Sequence, residues 1–484
     1  MKTKKLIILI LSLALMFLGR YLPSLPGLSS GGSMVIYIFI GVLVLWLTTA
    51  IDWPSILVLV ALSLVPGLKT NSILSSAYGG STFVFLVYTF IITYALSKTS
   101  ILKRIAYGFI KSKIAAKGPW YFIGAYFASI LVIGSFISPT VLFFIYLPIL
   151  EEILNILEVK KGEKLGSLLM MGTVIMTAIS SGMTPIGHVF PIIALGLYQT
   201  TYQLSISYLA YMGAMIPTGL LTALITTLLL KLCIRPDVSN YKKLDISSLE
   251  EVEPHMHKEE KVILGIFILV VGLWVLPNLL TTMLPSGSIK QFFASLDSLG
   301  TAIPAMIGTV LLCIIKTDNK PLITLKEAFA KGVPWSSLVM CAATLALGSA
   351  ITNADLGITA WITSGLSPLI AKLSPALIMV FFAAWATIQT NVSSNMVTAT
   401  VVTTALMALA PTLTMNSIPA LTIMIGSLAS YAFATPPAMP SVAIATSSGW
   451  TDTWQMLKYG ALAGLVSIII ASLVGYPLAL LLAA

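Results

Sequence analysis

Residues 135 to 148 read SFISPTVLFFIYLP, a Ser-Pro-Thr triplet inside an apolar run. Proline kinks or breaks a helix; where it breaks one, a new helix starts with free N–H groups, here with two hydroxyls beside them. Such N-termini hold anions, carboxylate or sulfate among them. A second stretch, Val392-Ser393-Ser394-Asn395, interrupts the apolar run at 374–412 with polar residues and no proline. Two further breaks, TPIGHVFP at 184–191 and TPPAMPS at 435–441, divide other apolar runs. The candidate anion-binding residues are therefore Ser138, Thr140, His188, Ser394 and Asn395. No Lys or Arg falls at mid-segment in an apolar run, so dipoles, hydroxyls and amides must hold the anion. For His188 three roles stay open. It is a neutral ring bonded to broken-helix carbonyls, a group that meets the anion, or one that titrates near its unperturbed pKa of about 6.5 and supplies protons. The hydroxyls have a structural alternative as well, capping without touching a ligand.

The elements that must position these residues are membrane helices. The chain of 484 residues is 57% hydrophobic and 9% charged, outside the soluble range. Apolar stretches of roughly 17–25 residues recur along it, each long enough to cross a hydrocarbon core. The first, after MKTKK, is read as a retained helix, because the following YLPSLPGLSSGGS lacks a small-x-small cleavage site. Traced from a cytoplasmic N-terminus, all but four of the 27 Lys and Arg fall on the inner side, the exceptions being Arg20, Lys69, Lys290 and Lys372. That asymmetry explains the net charge of +10 without a nucleic-acid partner. It predicts a multi-pass cell-membrane protein with the C-terminus outside.

With Ser138 set over Ser394 the chain divides into two matching halves. The expected organisation is a first helix and outer loop at 1–33, a first repeat at 34–232, a cytoplasmic linker at 233–261 and a second repeat at 262–484. In the first repeat a tip falls near 138–140 and an unwound loop near 184–191; in the second they fall near 393–396 and 435–441. The surface segment SKTSILKRIAYGFIKSKIAAKG of the first half is far more basic than its counterpart in the second, so the halves face opposite sides. The fold class is all-α integral membrane protein, with about 11 transmembrane helices and two re-entrant hairpins in two inverted-topology repeats. Backbone unwound at membrane depth must be buried or line a watery cavity. Paired breaks at the repeat interface are the pattern of a secondary transporter.

The paired breaks resemble the Ser-Asn-Thr motifs at two hairpin tips in the divalent-anion:sodium symporter family, carriers of dicarboxylates, citrate and sulfate. LASYAFATPPAMPSVAIATSSGW and TAISSGMTPIGHVFPII are similar to that family's unwound loops, and the likeness runs through nearly the whole chain. It implies a scaffold and a transport subdomain, a homodimer, and elevator-like movement of succinate, malate, citrate or sulfate. It also implies one sodium site at each tip, with Thr390, Ser393, Asn395 and Ala438 forming the second. The departures lie mainly at the first tip, where Gly134 replaces an upstream hydroxyl residue and Pro139 replaces Asn. Two side-chain oxygens are missing there, which predicts weak or absent sodium dependence, at most one sodium bound, and either anion exchange or proton coupling through His188. At the second tip Met396 replaces Thr.

Other classes fit less well. Cys233, Cys313 and Cys341 stand singly, with no metal-ligand spacing. His255 and His257 lie in a charged linker. An intramembrane hydrolase could draw on Ser180, Ser181 and His188, but it lacks a membrane-depth acid to orient the imidazole, and no His-Glu-x-x-His is present. A channel does not need paired discontinuous sites. The nearer rival is an arsenite or sodium/proton exchanger, which would want buried carboxylates along its path. The expected partners are a small anion, lipid and a second copy of the chain. No metal or organic cofactor is expected, and the coupling ion is Na+ or H+.

Overall fold

The computed structural model describes residues 3–186, 188–239, 241, 255–370 and 373–483. Residues 240 and 242–254 of the linker expected at 233–261 lie outside these residues. Nearly every element is helical, and one two-stranded turn pairs Lys316 with Pro321. Among the described residues nine helices are long and apolar enough to cross a membrane, or up to 11 if two bent pairs each count as one span. The bends are sharp, 81° between Ser288–Asp297 and Ala302–Ile314, and 79° between Leu325–Gly332 and Trp335–Ile351. Neither bend lies at a Ser-Pro-Thr or Ser-Ser-Asn break; one falls at Gly300 and the other at Pro334.

The breaks themselves form two helical hairpins. Pro119–Gly134 and Pro139–Ile156 pack on each other, and both pack on Lys164–Met183. Pro375–Val392 and Asn395–Leu409 do the same on Ser417–Leu428. Lys164–Met183 is enclosed by protein along its length. Its polar residues fold back on their own helix, Ser180 to the Thr177 carbonyl and Ser181 to that of Ala178.

After each of these central helices the chain unwinds and restarts, at Val189–Tyr202 in the first half and Pro440–Ser447 in the second. The restarted helices cross over. Val189–Tyr202 packs on the second hairpin's Asn395–Leu409 arm and on Ser417–Leu428. Pro440–Ser447 packs on the first hairpin's Pro139–Ile156 arm and on Lys164–Met183. Each restarted helix thus packs on an arm of the hairpin from the other half, the reciprocity that a two-fold relation between the halves would produce.

At the far end of the linker, His257 starts Lys258–Met283 with a reciprocal cap to Glu260. Glu260 also accepts bonds from the Ser100 amide and hydroxyl, tying this helix to the surface helix Ile101–Ile110.

Candidate functional site

Local sequence accounts for the first tip. Pro139 takes the first helical position of Pro139–Ile156, where its missing N–H costs nothing, and Ser138 caps the helix, its Oγ accepting from the Val141 amide at 3.4 Å. The first unwound loop opens at Thr184-Pro185, and a residue before proline is pushed out of the helical region. The Thr184 hydroxyl then donates to the Ser135 carbonyl, pinning loop to hairpin.

The second half repeats this contact. With Ser394 over Ser138, Asn391 stands where Ser135 stands, and Thr435, again before proline, donates to the Asn391 carbonyl. Sequence reading passed over Asn391, which carries the strongest contacts of the second tip. Its Nδ2 donates to the carbonyls of Thr387 at 2.8 Å and Tyr431 at 2.9 Å. Its Oδ1 accepts from the amides of Phe433 and Ala434 at 2.9 and 2.8 Å. A polar residue two positions before Ser393, opposite a loop with free amides, was the available signal.

The tips differ one residue further back. His188 is 1% exposed, and its Nε2 lies 2.8 Å from the Gly134 carbonyl. A carbonyl only accepts, so Nε2 carries the proton. Nδ1 has no partner among the described residues. A Cβ at 134 would run into Ser180 Oγ and Leu142 Cδ2, so the close approach of Lys164–Met183 demands glycine there. The equivalent of Gly134 is Thr390, whose hydroxyl donates to the Ala429 carbonyl at 2.6 Å, and the equivalent of His188 is Met439, which cannot donate. One tip has a fixed N–H aimed at its carbonyl; the other does not.

The predicted residues separate into two groups. Ser138, Thr140 and His188 line one cavity of about 400 Å³. Thr390, Ser393, Ser394, Asn395 and Ala438 do not line it. Ser393 Oγ folds back to the Gln389 carbonyl at 2.9 Å, Ser394 heads the second arm without a side-chain cap bond, and the Ala438 amide donates to the Thr435 carbonyl at 3.0 Å. Asn395 is buried, and neither its Oδ1 nor its Nδ2 has a partner among the described residues. A buried amide with both ends unsatisfied is costly, and a bound ion or anion would relieve that cost.

The cavity is arranged for negative charge. Three helix N-termini converge on it: Ser138 to Val141 at the head of Pro139–Ile156, His188 to Phe190 at the head of Val189–Tyr202, and Val333, Pro334 and Ser337 at the head of Trp335–Ile351. Thr93 and Ser97 also line it, their hydroxyls donated to the carbonyls of Phe90 and Tyr94, while Lys331 adds a charge and no carboxylate is in the lining among the described residues. The third N-terminus and Lys331 were not anticipated from sequence.

A helical membrane protein with paired hairpin tips, crossed unwound loops and an electropositive cavity is built as a secondary transporter. The family model for the sodium:sulfate symporter transmembrane region matches residues 2–483, and the chain belongs to that family. It is similar to the sodium-dependent dicarboxylate transporter SdcS of Staphylococcus saprophyticus, 26% identical over 466 residues that cover 93% of this chain and 86% of the relative. The Staphylococcus aureus (strain USA300) protein of the same name is 27% identical over 461 residues, covering 92% and 85%. Among solved structures, the Alcanivorax borkumensis YdaH transporter aligns over 84% of this chain and 87% of its own, with a TM-score of 0.49 and 12% identity.

Proposed function

We propose that this protein carries a small divalent anion, a di- or tricarboxylate such as succinate, malate or citrate, or sulfate, across the cell membrane by elevator-type alternating access. The observation that carries the reading is the convergence of three helix N-termini and Lys331 on a cavity with no carboxylate in its lining among the described residues. Each N-terminus presents about half a positive charge, which suits a dianion and opposes a cation. This weighs against a sodium/proton exchanger. The dicarboxylate transport named for the staphylococcal relatives agrees with the same substrate class. In this reading the N-terminus is cytoplasmic and the carrier works as a homodimer.

The coupling follows from the asymmetry of the tips. At the first, the His188 N–H points at the Gly134 carbonyl that a sodium ion would need, and glycine supplies no hydroxyl. His188 then acts as a fixed neutral donor in place of a cation. A second proton on Nδ1 would meet no acceptor among the described residues. At the second tip the Asn395 Oδ1, without a hydrogen-bond partner among the described residues, is available to ligate one ion. We therefore assign at most one sodium per cycle, with anion exchange as the main mode.

The test is uptake of labelled succinate and sulfate into proteoliposomes, with and without a sodium gradient and with and without internal dicarboxylate. Stimulation by internal dicarboxylate and a sodium Hill coefficient no greater than one are expected. A coefficient near two or more would restore a first sodium site and overturn the coupling assignment.

A further inference from the structure

We infer that Lys331 is a substrate-capturing cation that serves one face of the membrane only, an inference that rests on the anion-transport reading above. The cavity has two walls from different parts of the fold. One is the first hairpin tip with the unwound loop, carrying Ser138, Thr140 and His188. The other is formed by the Ser81–Ser97 helix and the turn Ala328–Gly332 that packs on it, carrying Thr93, Ser97 and Lys331.

The turn is held firmly. A Cβ at Gly332 would strike the Tyr94 ring, so the turn lies flat against that helix. Tyr94 OH donates to Glu327 Oε1 at 3.0 Å, and Lys98 Nζ lies 2.9 Å from the same oxygen. The Glu327 carboxylate is thereby engaged by Lys98 and Tyr94, and Lys331 feels it only at longer range. Lys331 has no close ion pair or hydrogen bond of its own among the described residues and is exposed on the cavity wall. Lys98 and Lys331 set against Glu327 leave this rim with a net positive charge.

If the hairpin carries the anion to the other face, Lys331 stays behind with the Ser81–Ser97 helix. Its attraction is therefore present at one end of the cycle and absent at the other. Charge placed at the mouth of a low-dielectric cleft raises the local anion concentration and the on-rate, and salt weakens the effect.

The experiment uses full-length protein in proteoliposomes of determined orientation, with initial rates for succinate measured from each face at low and high ionic strength. For Lys331→Gln the KM from the cavity face should rise about three- to tenfold at low salt and converge on wild type at high salt. The KM from the opposite face should stay within about twofold of wild type. Lys331→Arg should restore the cavity-face KM, and Lys331→Glu should raise it further. Equal shifts from both faces, no shift at low salt, or a shift that Arg fails to rescue would overturn the inference while leaving anion transport standing. Absence of dianion flux in the wild type would overturn both.

Discussion

Replacing Asn391 with alanine should unfold the second hairpin's attachment before it affects any chemistry. The side chain is buried and makes four contacts, two donated to Thr387 and Tyr431 and two accepted from Phe433 and Ala434. Alanine strands the two buried amides, and at about 1–3 kcal/mol for each unsatisfied group the loss is roughly 2–6 kcal/mol. Against a typical total of about 5–15 kcal/mol that is a large share. Thr390→Val is the control. It removes one bond, from the threonine hydroxyl to Ala429, worth about 0.5–1.5 kcal/mol. Unfolding of the purified proteins in mild detergent, followed by intrinsic fluorescence, should rank wild type, Thr390→Val and Asn391→Ala in falling order of stability. Wild-type stability in Asn391→Ala, or equal losses in the two variants, would refute the claim that this amide is the pin between hairpin and loop.

Asn395→Ala should behave in the opposite way. No hydrogen bond to a described residue is lost, so stability should hold or rise while succinate exchange in proteoliposomes disappears; retained exchange would remove Asn395 from the site. For His188 as a fixed neutral donor, wild-type flux corrected for substrate protonation should be flat across roughly pH 5.5–7.5, the window of an unperturbed imidazole. His188→Phe, which cannot donate to Gly134, should lose transport and stability together. A profile that changes across that window and flattens in His188→Gln would reinstate proton coupling.

The two asparagines mark where the sequence was readable and where it was not. A break written by proline is local, and Ser138-Pro139 or Thr184-Pro185 can be read without knowing what lies opposite. The second tip has no such proline. Ser393 leaves the helix at φ −138° and ψ −162° because Thr390 and Asn391 are tied to a loop some forty residues further on. The interrupted apolar run showed the break and the match to the first half aligned Ser394 and Asn395, but neither singled out Asn391, which lies in the last turn of Pro375–Val392. The bends near 298–301 and 333–334, by contrast, carry local marks, Gly300 at φ +68° in one and Pro334 in the other.

Gly134 was legible as a missing oxygen but not as a requirement, since the collision with Ser180 arises only when Lys164–Met183 lies against the hairpin. Lys331 is the sharper case. By topology it is one more inner-side cation, and that account of its charge left nothing for the sequence to explain. The positive-inside rule constrains which side of the membrane a charge occupies and says nothing about what the charge faces there. A lysine that satisfies the rule is therefore free to line a cavity as well. In a carrier whose binding residues move past a fixed wall, a topogenic cation on that wall is available to attract substrate at no further cost in membrane insertion. If the proposed orientation and elevator movement hold, the ends of the helices that stay fixed, rather than the apolar spans, are the place where affinity can change on one face without changing on the other.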